Sequence, residues 1–231
     1  MSMEKARVVL LLSLLFLVAG CTGKAPNTLT ATPSAATVVS ASGRGTPGSF
    51  EIESPAFPDG GTIPDRFAAC GHPNVSPEIR WSGVPDGTES LVLCAVDRVD
   101  MVWTNVPKGS VFVHWAVFGI PANYDGLKEN IPKRPRLQDG VMQGKNWEHK
   151  WGYSGPCPPH GQKHFYFFTL YALDEVPSIG PEQGRDLCLA LGGLRPVRPH
   201  AGKMDAIRKL AASLNGHVLA ATTLRGTYGG R

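Results

Sequence analysis

Apolar and polar residues alternate along most of this chain with a period of two. Phe50-Glu51-Ile52-Glu53-Ser54 alternates strictly, the pattern of a half-buried strand. Residues Ser90 to Asp97 are almost continuously apolar, as are Val111 to Ile120; such runs mark strands covered on both faces. His164 to Leu173 and His217 to Leu224 supply two more strands, and clusters of Gly, Pro and Asp separate all of them. The period changes to that of a helix only near the end. Between Lys203 and Leu214, Met204, Ile207, Leu210, Ala211 and Leu214 share one face, and Asn215-Gly216 provides the stop. A second, weaker helical pattern covers Pro181 to Leu191. The fold class is therefore α+β, predominantly β, with a large sheet and one or two helices near the C-terminus.

The first residues follow different rules. Lys5 and Arg7 precede the apolar run Val8 to Val18, which is short for a bilayer span, and the run ends in Leu17-Val18-Ala19-Gly20-Cys21. This pattern resembles a bacterial lipoprotein export signal, residues 1–21, with Cys21 as the acylated residue. Two acyl chains are what stable anchoring needs. Residues 22–48 are Thr, Ser, Ala, Pro and Gly with few large apolar groups, which reads as a flexible tether. The folded domain is then 49–231, long enough for one core. Cleavage before Cys21 would leave 21 Lys and Arg against 18 Asp and Glu, a net charge of +3. That mild excess, with no basic block beyond Lys133-Arg134-Pro135-Arg136, gives no footprint for nucleic acid. The expected location is the bacterial cell envelope, on the cell membrane or outer membrane.

The densest local signal is Gly155-Pro156-Cys157-Pro158-Pro159-His160-Gly161, running into the aromatic strand that starts at His164. Three prolines between two glycines make a preset loop. His164 and Tyr166 are two apart, so on a strand they face the same side. Two other strands carry polar residues in apolar settings: Asp97 closes one and His114 lies within another. Singly, Asp97 reads as a turn residue and His114 as a hydrogen-bonded core histidine. A further segment, Cys70-Gly71-His72-Pro73-Asn74-Val75-Ser76-Pro77, leads to Trp81.

In order and spacing these pieces resemble the phosphatidylethanolamine-binding proteins, in their bacterial Raf-kinase-inhibitor-like branch. The resemblance runs from Phe50 to Arg231 and is most specific from Gly155 to Tyr166; His114-Trp115 through Ile120-Pro121 and Tyr171-Ala172-Leu173-Asp174 support it. The chain departs from the branch where Asp97-Arg98-Val99-Asp100 replaces an Asp-Pro-Asp, so Asp97 carries over and Asp100 is off register. Gly71-His72-Pro73 replaces an Asp-Gly pair, and the stretch from Ile179 to Gly202 is longer than usual. The resemblance implies a smaller sheet packed on the large antiparallel-rich one. It also implies a pocket for a small anion or phospholipid headgroup, using Asp97, His114, His164 and Tyr166. Gly155, Pro158 and Pro159 would form its wall, and Trp115 or Trp81 would pack near its mouth. No cofactor and no metal are expected; Cys-x-x-Cys and His-Glu-x-x-His spacings are both missing.

Four cysteines remain in the domain: Cys70, Cys94, Cys157 and Cys188. In an exported protein an even number points to two disulfides, with three connectivities open; Cys94, inside an apolar strand, also reads as a small buried hydrophobe. The resemblance favours Cys70–Cys157, since it brings both segments beside the pocket. Two further functional readings accompany the binding one. A hydrolase of phosphate or carboxyl esters would use a Cys157 nucleophile with His160 or His164, and Gly152-Tyr153-Ser154-Gly155 falls one residue short of a nucleophile elbow. A protease- or kinase-inhibiting interaction protein rests on family analogy alone, with the protein partner unknown. Binding without turnover is the expectation.

Overall fold

The computed structural model describes residues 48–98, 110–196 and 202–229. The expected export signal with Cys21, nearly all of the expected tether, and Asp100 lie outside them. Ten strands and two α-helices follow in chain order: β1 (Glu51–Glu53), β2 (Gly61–Thr62), β3 (Ile79–Ser82), β4 (Ser90–Arg98), β5 (Ser110–Pro121), β6 (Gly126–Leu127), β7 (Met142–Gln143), β8 (Lys163–Leu173), α1 (Gly184–Leu191), β9 (Arg195–Pro196), α2 (Lys203–Ser213) and β10 (Val218–Gly229). Strands β1, β3 and β6 make a small sheet; a seven-stranded sheet runs β2-β10-β8-β4-β5-β7, with β9 pairing β5. This is the β-dominated α+β class expected, with the two helices where the period changes. The last strand continues past Leu224 to Gly229, because Gly226, Thr227 and Tyr228 pair with Tyr166, Phe165 and His164 on β8.

The long strands are apolar on both faces because each face is covered. Leu91, Leu93 and Ala95 of β4, with Phe168, Leu170 and Ala172 of β8, face a core shared with Ile79 and Trp81 of the small sheet. Val92, Cys94 and Val96 face the opposite way, against Leu187, Leu189 and Ile207 of the two helices. Burying a Leu- or Phe-sized side chain contributes roughly 1.5–3 kcal/mol, so charges have no place at the centre of either layer. Two disulfides fasten the layers. Cys70–Cys157 (Cα–Cα 5.3 Å) joins the segment after a short 3-10 turn, Asp65–Phe67, to the proline loop. Cys94–Cys188 (Cα–Cα 5.6 Å) joins β4 to α1. Cys94 is thus buried because it is bridged, and not as a lone small hydrophobe.

Strand β5 does not keep a single phase. Ala95 pairs with Trp115 and Val96 with Val113, so His114 is an extra residue with no opposite number on β4: a β-bulge. Val111 and Val113, before it, face the helices; Trp115 and Val117, after it, face the small sheet. A second slip, between Leu91 and Leu93 of β4, comes opposite Gly119, whose φ of 65° is a left-handed conformation that glycine adopts without strain. It returns Ile120 to the small-sheet face.

Candidate functional site

At one end of the large sheet, on the face that packs against the small sheet, the apolar pattern gives way. Asp97 and Tyr166 are direct partners across β4 and β8, and His164 is one step further along the same face of β8. The bulge turns His114 toward them: its ring meets that of Tyr166 edge-on, centroids 5.2 Å apart at 88°. The four residues that the resemblance selected are therefore together, three of them buried and His164 only partly exposed.

Each group has a defined electrostatic task. Asp97 Oδ2 lies 2.6 Å from His164 Nδ1, a short ion-pair geometry that fixes the imidazole's orientation. His164 Nε2 faces Gln162 Oε1 at 3.3 Å. His114 Nδ1 lies 2.6 Å from the carbonyl of Ser154 and must donate to it, because that oxygen can only accept. Burial of the His114 ring pushes its pKa below the ordinary histidine value, against the opposing pull of Asp97 and of the Ser154 and Gly155 carbonyl region. At neutral pH its Nε2 is then an acceptor. Asp97 Oδ1 and Tyr166 Oη are buried and have no hydrogen-bond partner among the described residues. Burial raises the Tyr166 pKa further from neutrality, with Asp97 adding to the shift, so the phenol stays protonated and can donate. Unmet buried polar groups cost about 1–3 kcal/mol each. Two of them side by side are the strongest local mark of a place built for something else to bind.

The proline loop closes over this end. Gly155 N–H donates to Asn74 Oδ1 (2.8 Å), Tyr153 Oη to the carbonyl of Phe67 (2.9 Å), and Ala69 N–H to the carbonyl of Pro156 (2.9 Å). A Cβ at Gly155 would lie 1.9 Å from Phe67 O, so no other residue allows that approach. Pro158 packs against Gly229 at the end of β10, where a Cβ would meet its Cγ at 2.7 Å. Pro159 is exposed and accepts the turn bond from Gln162 N–H.

Three sequence expectations need correction. Trp115 is not at a mouth: it is fully buried, its indole donates to Gln143 Oε1 (2.7 Å), and its ring meets Tyr153 edge-on. Trp81 is likewise in the inter-sheet core, donating to the carbonyl of Tyr124. The aromatic residue beside the site is Trp147, 38% exposed, 6.2 Å from the His114 ring and edge-on to Phe112; an exposed Trp before Glu148-His149-Lys150 carried no signal of its position. A Cys157 nucleophile is removed, because that sulfur is in the bridge to Cys70. Ser154, of the near-elbow, is buried and donates to Glu148 Oε2 (2.9 Å), with no histidine on its hydroxyl. Among the described residues no group of three or more His, Cys, Asp or Glu is placed to hold a metal. Two surface clefts, one lined by Phe57 and one by Arg66, include none of the four polar residues.

Comparison with known proteins agrees with this architecture. Residues 53–229 match the phosphatidylethanolamine-binding protein family. A UPF0098 protein of Methanothermobacter thermautotrophicus is 38% identical over 181 residues, covering 78% of this chain and 98% of the relative. The UPF0098 protein YbhB of Escherichia coli is 36% identical over 131 residues, covering 54% of this chain and 78% of that protein. Among solved structures, Escherichia coli YbcL, described as a member of the mammalian PEBP family, superposes with a TM-score of 0.56 at 25% identity, covering 78% of this chain and 98% of that one. A phosphatidylethanolamine-binding protein homologue from Chlamydia trachomatis superposes with a TM-score of 0.57 at 29% identity, covering 78% and 97%. The family match over residues 53–229 and the 38% identity to a relative covered almost end to end show that the chain belongs to the phosphatidylethanolamine-binding protein family.

Proposed function

We propose that this protein is a binding protein of the cell envelope, anchored through a lipid on Cys21, which holds a small phosphate-like anion or headgroup at Asp97, His114, His164 and Tyr166. The observation that carries the reading is the pair of unmet buried atoms, Asp97 Oδ1 and Tyr166 Oη, beside two histidines. Tyr166 supplies a donor. His114 supplies an acceptor at neutral pH and a second donor when protonated. A phosphate monoester matches this mixed set, because its oxygens accept while a P–OH can donate. Asp97 Oδ1 suits the same P–OH, or the ammonium of an ethanolamine headgroup. The loop from Gly155 to Gly161 walls the site, and Trp147 borders it. With Cys157 bridged, binding rather than ester turnover is the chemistry these residues favour.

Titration calorimetry with phosphate, phosphoethanolamine and acetate tests the site. His164→Ala and His114→Ala should each weaken phosphate binding by about 1.5–3 kcal/mol, the worth of a charge-assisted hydrogen bond. The control is His149→Asn. His149 is exposed with φ of 62°, and asparagine tolerates that conformation. Wild-type affinity in both alanine variants would end the pocket assignment. For the anchor, detergent phase partitioning compares wild type with Cys21→Ser, which should move to the aqueous phase; equal partitioning would end that part of the reading.

A further inference from the structure

Both ring nitrogens of His164 face side-chain oxygens. Nδ1 lies 2.6 Å from Asp97 Oδ2, and a carboxylate oxygen accepts, so Nδ1 carries a proton. Nε2 is the nitrogen that remains to meet a ligand, and it faces Gln162 Oε1 at 3.3 Å. When the ring is an imidazolium, Nε2–H donates to Oε1. When the ring is neutral, Nε2 is a lone pair, and the same amide turned over offers it an N–H. A carboxamide carries both an acceptor and a donor, so Gln162 satisfies His164 in either charge state. Its place is fixed by the loop and the sheet. Two residues before His164, it lies on the same side of an extended chain. Its N–H donates to the carbonyl of Pro159 (3.0 Å), and its own carbonyl packs so closely on the end of β10 that a Cβ at Gly229 would lie 2.1 Å from it. The backbone is clamped, but the side chain is long, unbranched and only half-buried. A separation of 3.3 Å is also longer than usual for an N–H···O bond. The amide is the part that can move.

We propose that Gln162 is an affinity-setting residue of this site: its amide stands where a ligand oxygen binds His164 Nε2, and an incoming anion displaces it. The inference rests on the phosphate-like reading above and deepens it. Nε2 has one proton or one lone pair, so it serves one partner at a time. An anionic phosphoryl oxygen and Gln162 Oε1 both accept, and they repel each other if both crowd the same N–H. The phosphoryl oxygen makes the stronger, charge-assisted bond. It takes the position, and the amide swings away on its clamped backbone. Every ligand that uses Nε2 therefore binds more weakly than the other pocket groups alone would allow, by the worth of the bond between Gln162 and His164. Asp97, His114 and Tyr166 have no such competitor: Asp97 Oδ1 and Tyr166 Oη are unmet among the described residues. The adjustable member of the cluster is thus His164, and Gln162 is what adjusts it.

The test is titration calorimetry on the full chain in detergent, with inorganic phosphate and phosphoethanolamine as separate probes. Gln162→Ala removes the competitor and should tighten binding about threefold. A gain is the informative direction, because damage to the loop or the fold only weakens binding. Gln162→Met keeps the length of the side chain without its amide and should tighten binding by the same factor, which keeps the test open if the smaller residue lets the loop shift. Gln162→Glu sets a carboxylate against the ring and should weaken phosphate about tenfold or more, since like charges repel strongly in a partly buried site. Gln138→Ala, on the exposed turn before Val141, should bind as wild type does. Tightening of both probes supports displacement by a phosphoryl group from either source; tightening of phosphoethanolamine alone assigns the displacement to a headgroup. If wild type binds and neither Gln162→Ala nor Gln162→Met binds more tightly, the competition is overturned and the pocket stands. If no form binds either probe, the pocket reading itself fails and this inference falls with it.

Discussion

The two faces of the large sheet each bury one aspartate with one oxygen unpartnered and each carry one disulfide, yet only one face reads as a site. On the helix face, Asp186 of α1 meets Lys203 at the start of α2 at 2.5 Å, and its Oδ1 has no partner among the described residues. Cys94–Cys188 pins the same helix to β4. On the other face, Asp97 meets His164, and Cys70–Cys157 pins the proline loop. The difference is in the neighbours. Asp186 has a lysine against it, so its charge is balanced within the protein. Asp97 has Tyr166 Oη, itself unmet, and a neutral His114 within reach of its charge. A buried carboxylate alone does not mark a site; several unmet groups converging on one face do.

The largest expected effects come from the disulfides. Each closes a loop of about ninety residues, for which loop-closure entropy gives roughly 4 kcal/mol. Cys94→Ala with Cys188→Ala should lower unfolding stability in urea by about that amount, while phosphate affinity of the folded protein stays at the wild-type value. Cys70→Ala with Cys157→Ala should lose similar stability and weaken binding as well. If both pairs behaved alike toward ligand, the contrast between the faces would fail.

Next is the ion pair on the helix face. Lys203→Met leaves Asp186 buried without its cation; removing one partner of a buried pair costs about 3 kcal/mol, less here because Lys203 is partly exposed. Urea unfolding should register this loss and calorimetry should find ligand binding unchanged.

Much of this contrast was legible in the sequence. The alternating and continuous apolar runs located the long strands because their periodicity is a direct result of burial. Gly155 to Tyr166 located the loop and its strand, and His164 and Tyr166 share a face as their spacing requires. The bulge at His114 was not legible, because an extra residue looks like any other in a run that is apolar on both sides. Trp115 was misjudged for a related reason: adjacency to His114 in sequence says nothing of depth beneath the small sheet. Cys94–Cys188 joins elements 94 residues apart, and Asp186–Lys203 joins two successive helices across a loop; no local periodicity encodes either meeting.

The smallest effects are those of pH. Burial depresses the His114 pKa, so between that value and the unfolded value of about 6.5 the unfolded chain binds more protons. This contribution to stability is complete above about pH 6.5 and shrinks as pH falls below it. His114→Gln should flatten the fall, as followed by thermal unfolding from pH 5 to 7. Ligand binding should run the opposite way. A phosphate held by His114 needs a proton, on the ring or on the ligand, so affinity should weaken as pH rises through the histidine range. Sulfate, with no proton to donate, should bind more weakly than phosphate above that range. Equal affinity would mean that Asp97 Oδ1 and His114 Nε2 do not read a donor.

Because His114 is the supernumerary residue of β5, its removal would leave every other side chain of the strand on its present face. Val113 would still look toward the helices and Trp115 toward the small sheet. A single-codon deletion there is thus neutral for the hydrophobic layering and fatal for the cluster. Within this architecture the polar cluster is attached to the sheet by one insertion, and a lineage could acquire or discard it without rebuilding the core.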